Sequence, residues 1–367
     1  AELFATSAVG ATSHWLNYNG DEFSDLLVTY NKRQLDSTVG VIIDGEYLNA
    51  QGGEVHYADA EAAGSTTLLR ASDSLRDVTA NAVLGPGSDI LLAGNDPMIN
   101  TSVVGDINGD GLEDFVIGMP DYLALTDGAS PAVGRSFVFL GTTTSTATLE
   151  VEEAADAIVT GGGMGGAISA VGDLNGDGYD EFGISRQQES NGSFASGMFV
   201  FGGAADFATS GQQVLATNDA LLMVSRNAAT TLSGGATLVG PLTATSGDFN
   251  DDGLADLAVG AAQSTLASAG GAVLEVNDSG SLYVFLSGQA NSVPLAGSLL
   301  TSQANRTLSG IAAGDLLGSV AASANMDIDN NGVDDLLFAA AGADGLLGGA
   351  RADAGRAYAV LGRPIQQ

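Results

Sequence analysis

Asp248-Phe-Asn250-Asp-Asp252-Gly-Leu-Ala-Asp256, followed at once by Leu-Ala-Val-Gly-Ala, is the stretch from which the rest of the chain is read. Oxygen-bearing side chains stand at its positions 1, 3, 5 and 9, a Gly at position 6, and an apolar, strand-like run behind it. The frame occurs four more times, as Asn17-Tyr-Asn19-Gly-Asp21-Glu-Phe-Ser-Asp25, Asp106-Ile-Asn108-Gly-Asp110-Gly-Leu-Glu-Asp114, Asp173-Leu-Asn175-Gly-Asp177-Gly-Tyr-Asp-Glu181 and Asp327-Ile-Asp329-Asn-Asn331-Gly-Val-Asp-Asp335. Behind these come Leu-Leu-Val-Thr-Tyr, Phe-Val-Ile-Gly-Met, Phe-Gly-Ile-Ser and Leu-Leu-Phe-Ala-Ala.

Alternate oxygen donors on a short loop suit calcium, a hard cation that takes six to eight oxygen ligands in flexible geometry. The residues at positions 1, 3 and 5 supply carboxylate or amide oxygens, position 7 offers a carbonyl, and the acid at position 9 offers both oxygens. Gly at position 6 makes the sharp turn without a Cβ penalty. An EF-hand loop opens in the same way but closes on a Glu at its twelfth position, between helices. Here the closing acid comes at position 9 and a β-like run follows, which argues against an EF-hand. Asp, Asn and Gly are also ordinary turn residues, but five copies in phase, each closed by an acid, need more than turn chemistry. The four later copies carry three carboxylates each at the ligand positions. The first has neutral Asn17 at position 1 and Glu22 in place of the turn Gly, so it is expected to be the weakest. About four to five structural calcium ions are expected.

The frames begin at 17, 106, 173, 248 and 327, in steps of 89, 67, 75 and 79 residues. After each comes a Gly and an aromatic or β-branched run: Gly134-Arg-Ser-Phe-Val-Phe-Leu140, Gly197-Met-Phe-Val-Phe201, Gly280-Ser-Leu-Tyr-Val-Phe285 and Gly355-Arg-Ala-Tyr-Ala-Val360, with a poorer version at Val39-Gly-Val-Ile-Ile43. Small residues precede the loops, most clearly at Gly314-Asp-Leu-Leu-Gly318-Ser-Val-Ala-Ala-Ser323. Each unit reads as strand, loop, strand, turn, strand and a looser fourth strand. Four strands in regular phase are the requirement of a β-propeller blade. The chain is therefore expected to be all-β, a single domain over 1–367 of five repeats, roughly 1–97, 98–160, 161–235, 236–310 and 311–367. The long first step is read as an insertion at 47–97.

The nine-residue loop, the Val116-Ile-Gly-Met-Pro120 or Ala258-Val-Gly-Ala-Ala262 run after it, and the later Gly-x-x-Tyr/Phe-Val-Phe strand together resemble the FG-GAP repeats of the integrin α-subunit propeller. The resemblance covers nearly the whole chain. The Phe-Gly pair that names the family is worn here to Leu317-Gly318 and Met164-Gly165. The resemblance implies that the metal-ligand roles fall on the positions quoted, that the calcium is structural, and that partners are met by loops on a propeller face. The family commonly has seven blades, two more than the loops seen here.

Acidic residues outnumber basic ones 44 to 11, for a net charge of −33, which five divalent ions would lower only to about −23. Such a field repels nucleic acid and anionic membranes. It also suits a salty habitat. Cysteine is absent, so metal ions take the stabilising role that disulfides often fill outside the cell. The longest apolar stretch, near Leu336 to Leu347, is interrupted by Asp344 and too short to span a bilayer. A chain beginning at Ala1 is expected to have been processed or trimmed.

Catalytic signals are poor. The chain has two histidines, and His14, next to the single Trp15, reads as structural. No Gly-x-Ser-x-Gly elbow or His-Glu-x-x-His motif occurs, nor an Arg-Gly-Asp adhesion signal. Gly161-Gly-Gly-Met-Gly-Gly166 lacks the Lys-Ser/Thr of a phosphate loop and reads as a tight link between repeats. Glu152-Glu153 reads as surface charge rather than a glycosidase pair. Asn100, Asn191, Asn277 and Asn305 head N-x-S/T sequons. The expected function is a calcium-stabilised extracellular or cell-surface binding, adhesion or filament-assembly module. It would meet a protein or glycan at a propeller face, through 47–97 first, or assemble with itself. The alternatives are a lectin, which calls for aromatic residues and acids clustered between blades, and a propeller module of a secreted hydrolase or lyase.

Overall fold

Continuous apolar runs of five or six residues behind each acidic loop have no polar face to offer solvent. In most copies they form strands buried on both sides, whereas Leu336–Ala340 buries only alternate residues. In a computed structural model of the chain, all six residues of Asp114–Met119 and of Asp256–Ala261 are buried. The described residues are 11–30, 38–43, 46, 49, 66–70, 99–120, 134–143, 148–186, 197–225, 241–262, 279–287, 297–322, 326–344 and 354–364. The chain divides into two compact units, Ala1–Gly165 with Ala204–Thr217, and Gly166–Gly203 with Asn218–Gln367.

In the first unit, β1 (Ala11–Leu16), β2 (Asp25–Tyr30), β3 (Thr38–Ile43) and β4 (Thr66–Arg70) form an antiparallel meander. β4 lies within the stretch read as an insertion; the rest of 47–97, apart from Asn49 and 66–70, falls outside the described residues until 99, as do the sequons at Asn191 and Asn277. The second sheet holds β5 (Asn100–Gly105), β6 (Asp114–Met119) and β7 (Arg135–Phe139). After β8 (Thr148–Glu150) and the one-turn helix α1 (Val151–Ala154), it is completed by β9 (Ala157–Thr160). β8 does not join the sheet of its own repeat: it runs parallel to β4 as the fifth strand of the first sheet.

The third repeat supplies β10 (Met164–Gly172), β11 (Glu181–Arg186), β12 (Gly197–Phe201), β13 (Gln213–Ala216) and β14 (Leu222–Ser225). β13 leaves this group and lies parallel to β9. The fourth supplies β15 (Thr243–Gly247), β16 (Asp256–Ala261), β17 (Ser281–Phe285), β18 (Gly297–Leu300) and β19 (Arg306–Ser309). β18 lies parallel to β14, and the other four form the fourth sheet. β20 (Leu317–Ala322), β21 (Leu336–Ala340) and β22 (Arg356–Val360) form the last, three-stranded sheet. The protein is all-β, built of several open sheets, and the Gly-led aromatic runs are its third strands.

The cores follow from the strand period of two. In the first unit, Phe115 stacks on Phe139 at 4.9 Å between ring centres, and Leu16, Leu27, Ile117 and Phe137 join them. In the second, Phe182 stacks on Phe201 at 5.5 Å and Phe338 on Tyr358 at 5.4 Å. Burying each such ring contributes about 1.5–3 kcal/mol. The Gly-rich run 161–166 links β9 to β10. Gly165 sits at φ +99°, and a Cβ there would lie 2.7 Å from the Met119 backbone nitrogen, so Gly is required. Among the described residues, no helix is long and apolar enough to cross a membrane.

Candidate metal centre

Each acidic run is the loop between the first and second strands of a sheet, so the second strand begins at or just after the position-9 acid. That acid is buried in every copy: Asp25, Asp114, Glu181, Asp256 and Asp335 are 0–1 % exposed. One of its oxygens accepts the backbone N–H of position 2. The distances are 3.1 Å from Tyr18, 2.8 Å from Ile107, 2.7 Å from Leu174, 3.0 Å from Phe249 and 2.6 Å from Ile328. In three copies the other oxygen accepts an N–H from just beyond the third strand, with Gly141, Ser287 and Gly362 donating at 2.7 Å to Asp114, Asp256 and Asp335. The acid therefore pins the loop to its sheet and keeps spare lone pairs for a cation.

The other positions curl around the turn. In the second, third and fourth copies the position-1 Asp accepts the N–H of position 5 through one oxygen and of the Gly at position 6 through the other. Asn108, Asn175 and Asn250 each accept the N–H of position 5 through Oδ1 and donate Nδ2 to its carboxylate. Asp110, Asp177 and Asp252 in turn accept the N–H of position 7. In the third copy Asn175 also donates to Glu181 at 3.1 Å. The amide N–H there stands between two carboxylates, where a positive charge is favoured. The first copy repeats this with Asn19, Asp21 and Asp25, while the Asn17 side chain accepts the Gly20 N–H.

The fifth copy differs because Asp329 replaces that Asn. Asp327 keeps its bonds from Asn331 and Gly332, but no amide separates the acids. The carboxylates of Asp327, Asp329 and Asp335 bring oxygens within 4.8 Å of one another, which among the described residues is the one group of three acidic side chains so placed. Opposite ligands of one calcium ion lie about 5 Å apart, given Ca–O distances of about 2.3–2.6 Å. The donor set, all oxygen and mostly anionic, fits that ion.

Burial and crowding raise the pKa values of three of the position-9 acids. Asp114 is pushed up to about 7, first by desolvation, against the Gly141 and Ile107 N–H bonds and with help from Asp110 and Asp106. Glu181 is likewise raised to about 7 and Asp256 to about 6, burial again leading. A cation held beside them would reverse this, since a nearby opposite charge favours the ionised form.

Neighbouring loops are joined. The Asn17 N–H donates to Glu113 at 2.6 Å, and the Glu113 N–H donates back to the Asn17 carbonyl at 3.0 Å. Asp248 and Asp334 repeat the exchange at 2.8 and 3.2 Å. The position-8 acid of one loop thus holds position 1 of the loop before it. Both acids stand in the quoted runs, but only the paired loop reveals their role. Elsewhere, His14 is half-buried on β1 with its pKa lowered by burial. Glu152 and Glu153 lie on α1.

A search of curated proteins finds no match to the chain. The FG-GAP repeat family model matches residues 240–285. These run from just before β15, through the loop Asp248–Asp256, to the end of β17. The chain therefore carries an FG-GAP repeat at the fourth of its five acidic loops.

Proposed function

We propose that the chain is a calcium-stabilised, β-propeller-type binding module that works outside the cell, presenting a rigid surface to a protein or glycan or assembling with itself. The observation that carries this reading is the gathering of Asp327, Asp329 and Asp335 in a frame that recurs five times, once within the FG-GAP match. FG-GAP repeats are generally non-catalytic and typical of extracellular proteins, and the reading assigns no reaction.

The ligands would be positions 1, 3, 5 and 9 of each loop. A bound calcium would neutralise the loop carboxylates and replace their mutual repulsion by attraction. The residues do the rest. The position-9 acid fixes the loop to its strand, the position-1 acid shapes the turn, and Glu113 and Asp334 tie one loop to the next.

Metal content after dialysis against low calcium tests the proposal. Calcium retained at several ions per chain supports it, with the loop at 327–335 holding its ion longest and the loop at 17–25 losing its ion first. Stoichiometric zinc or iron without calcium would overturn it.

A further inference from the structure

The position-8 acids reach beyond their own loops. Glu113 takes the Asn17 N–H on its carboxylate and returns its own N–H to the Asn17 carbonyl, and Asp334 does the same with Asp248. The next peptide groups add a second link. Gly141 and Gly362 donate to the position-9 acids Asp114 and Asp335. The residues that follow them, Thr142 and Arg363, donate to the position-2 carbonyls of the preceding loops, those of Tyr18 at 2.8 Å and Phe249 at 3.1 Å. The N–H groups of Tyr18 and Phe249 are held by the position-9 acids of those loops, Asp25 and Asp256. In each pair the two buried acids are joined through one short run of peptide groups and hydrogen bonds. Packing follows the same line: a Cβ at Gly20 would lie 2.9 Å from Leu112 of the next loop.

The fourth loop departs from this. Ala255 stands at its position 8, and its side chain offers no acceptor to the loop before it. Leu254 at position 7 is 52 % exposed, where Val333 in the fifth loop is 3 % exposed. The frame of the fourth loop is nevertheless intact, since Asp256 is buried and accepts the N–H groups of Phe249 and Ser287. An acid at position 8 is therefore not needed to build a loop. In a chain already at −33, a further carboxylate beside a group of acids adds to self-repulsion. What Glu113 and Asp334 supply in return is the hold on the neighbouring loop.

We propose that Glu113 and Asp334 are positioning residues that couple the calcium sites of adjacent loops, so that an ion in either loop of the pairs 17–25 with 106–114 and 248–256 with 327–335 raises the affinity of the other. This rests on the calcium reading of the loops. Position 1 is a ligand position whose backbone is clamped by the neighbour's acid. Position 9 is a ligand position, and the segment whose N–H it holds also holds the neighbour. With the Asp335 carboxylate fixed on an ion, residues 362–363 and position 2 of the loop 248–256 are fixed with it, and the second ion meets a loop already ordered. By linkage the effect is reciprocal, and couplings of this kind amount to about 5- to 150-fold in affinity. Ala255 withholds the position-8 route between the loops 173–181 and 248–256.

The position-6 glycines give a readout for each loop. Gly253 and Gly332 donate N–H to the position-1 carboxylates at 2.9 and 2.8 Å, so their amide resonances follow the two loops separately when the isotope-labelled protein is titrated with calcium. Asp329→Ala, which disables the loop 327–335, should raise the calcium concentration that half-shifts Gly253 at least about fivefold. In an Asp334→Ala background the same change should no longer move it. Gly111, which donates to Asp106 at 2.8 Å, reads the first pair in the same way with Asp21→Ala and Glu113→Ala, and decides the matter if the Asp334 variant does not fold. A Gly253 midpoint that moves equally in both backgrounds, or in neither, overturns the coupling and leaves the calcium sites standing. Glycine amides that do not respond to calcium at all would overturn the calcium reading itself, and the coupling with it.

Discussion

At the residue scale, the position-9 acid is a structural anchor as well as a ligand. Asp256 accepts N–H groups from Phe249 and Ser287 while fully buried. Asp256→Ala leaves both donors unsatisfied and should cost about 1–3 kcal/mol even in EGTA. Asp252→Ala, on the exposed turn, should cost little in EGTA but forfeit the calcium-dependent gain of its loop. Urea unfolding of both variants, with calcium and with EGTA, separates the two roles. The raised acids give a second expectation. In the metal-free protein, Asp114 and Glu181 hold protons up to about pH 7 and Asp256 up to about 6, whereas their unfolded counterparts ionise near 4. Between about pH 4 and 7 the unfolded chain therefore binds fewer protons, and stability falls as pH rises. The melting temperature in EGTA should be higher at pH 5 than at pH 8, and calcium should remove or invert that slope. A flat profile in EGTA would mean these acids stay ionised in the folded state. The alternation of Asp and Asn made the loop residues readable in the sequence. The donors to position 9 were not, because Gly141, Ser287 and Gly362 lie 27 to 31 residues downstream and only strand pairing brings them back.

At the scale of the element, the five loops are not equivalent. Counting carboxylates separates the first loop from the rest, but geometry separates the fifth from the others, because Asp329 leaves its carboxylates without an amide between them. Asp329→Asn should raise the melting temperature in EGTA and lower the calcium affinity of that loop; isothermal titration reads the second effect. If the variant melted lower in EGTA, repulsion among these acids would not be what the ion relieves. The strands behind the loops were legible because their apolar runs are continuous, and the third strands because a Gly and aromatics mark them. The parallel outer strands were not. β8 is three residues long, and β13 and β18 are four each with one buried residue, Leu215 or Leu299. A single leucine in an exposed context carries no period, and its partner strand belongs to another repeat.

At the scale of the molecule, five loops concentrate negative charge on a chain already at −33. An ion that binds only the folded state adds about 2.7 kcal/mol at a hundred times its dissociation constant. Several sites filled together should make the melting temperature climb steeply with calcium and drop sharply in excess EGTA; identical melting curves in the two buffers would show that the loops fold without metal. The crossing of β8, β13 and β18 into preceding sheets has a further consequence. The length of chain that repeats and the piece that folds are out of step. A genetic cassette one repeat long carries a strand owed to its neighbour and lacks one of its own. Truncating the chain between residues 225 and 243, after the fourth strand of the third sheet, would cost that sheet only its donated strand β18. Boundaries drawn at the acidic loops, where the sequence repeats most visibly, would split hairpins and strip sheets instead. Shuffled or truncated versions of this protein should succeed or fail according to that phase.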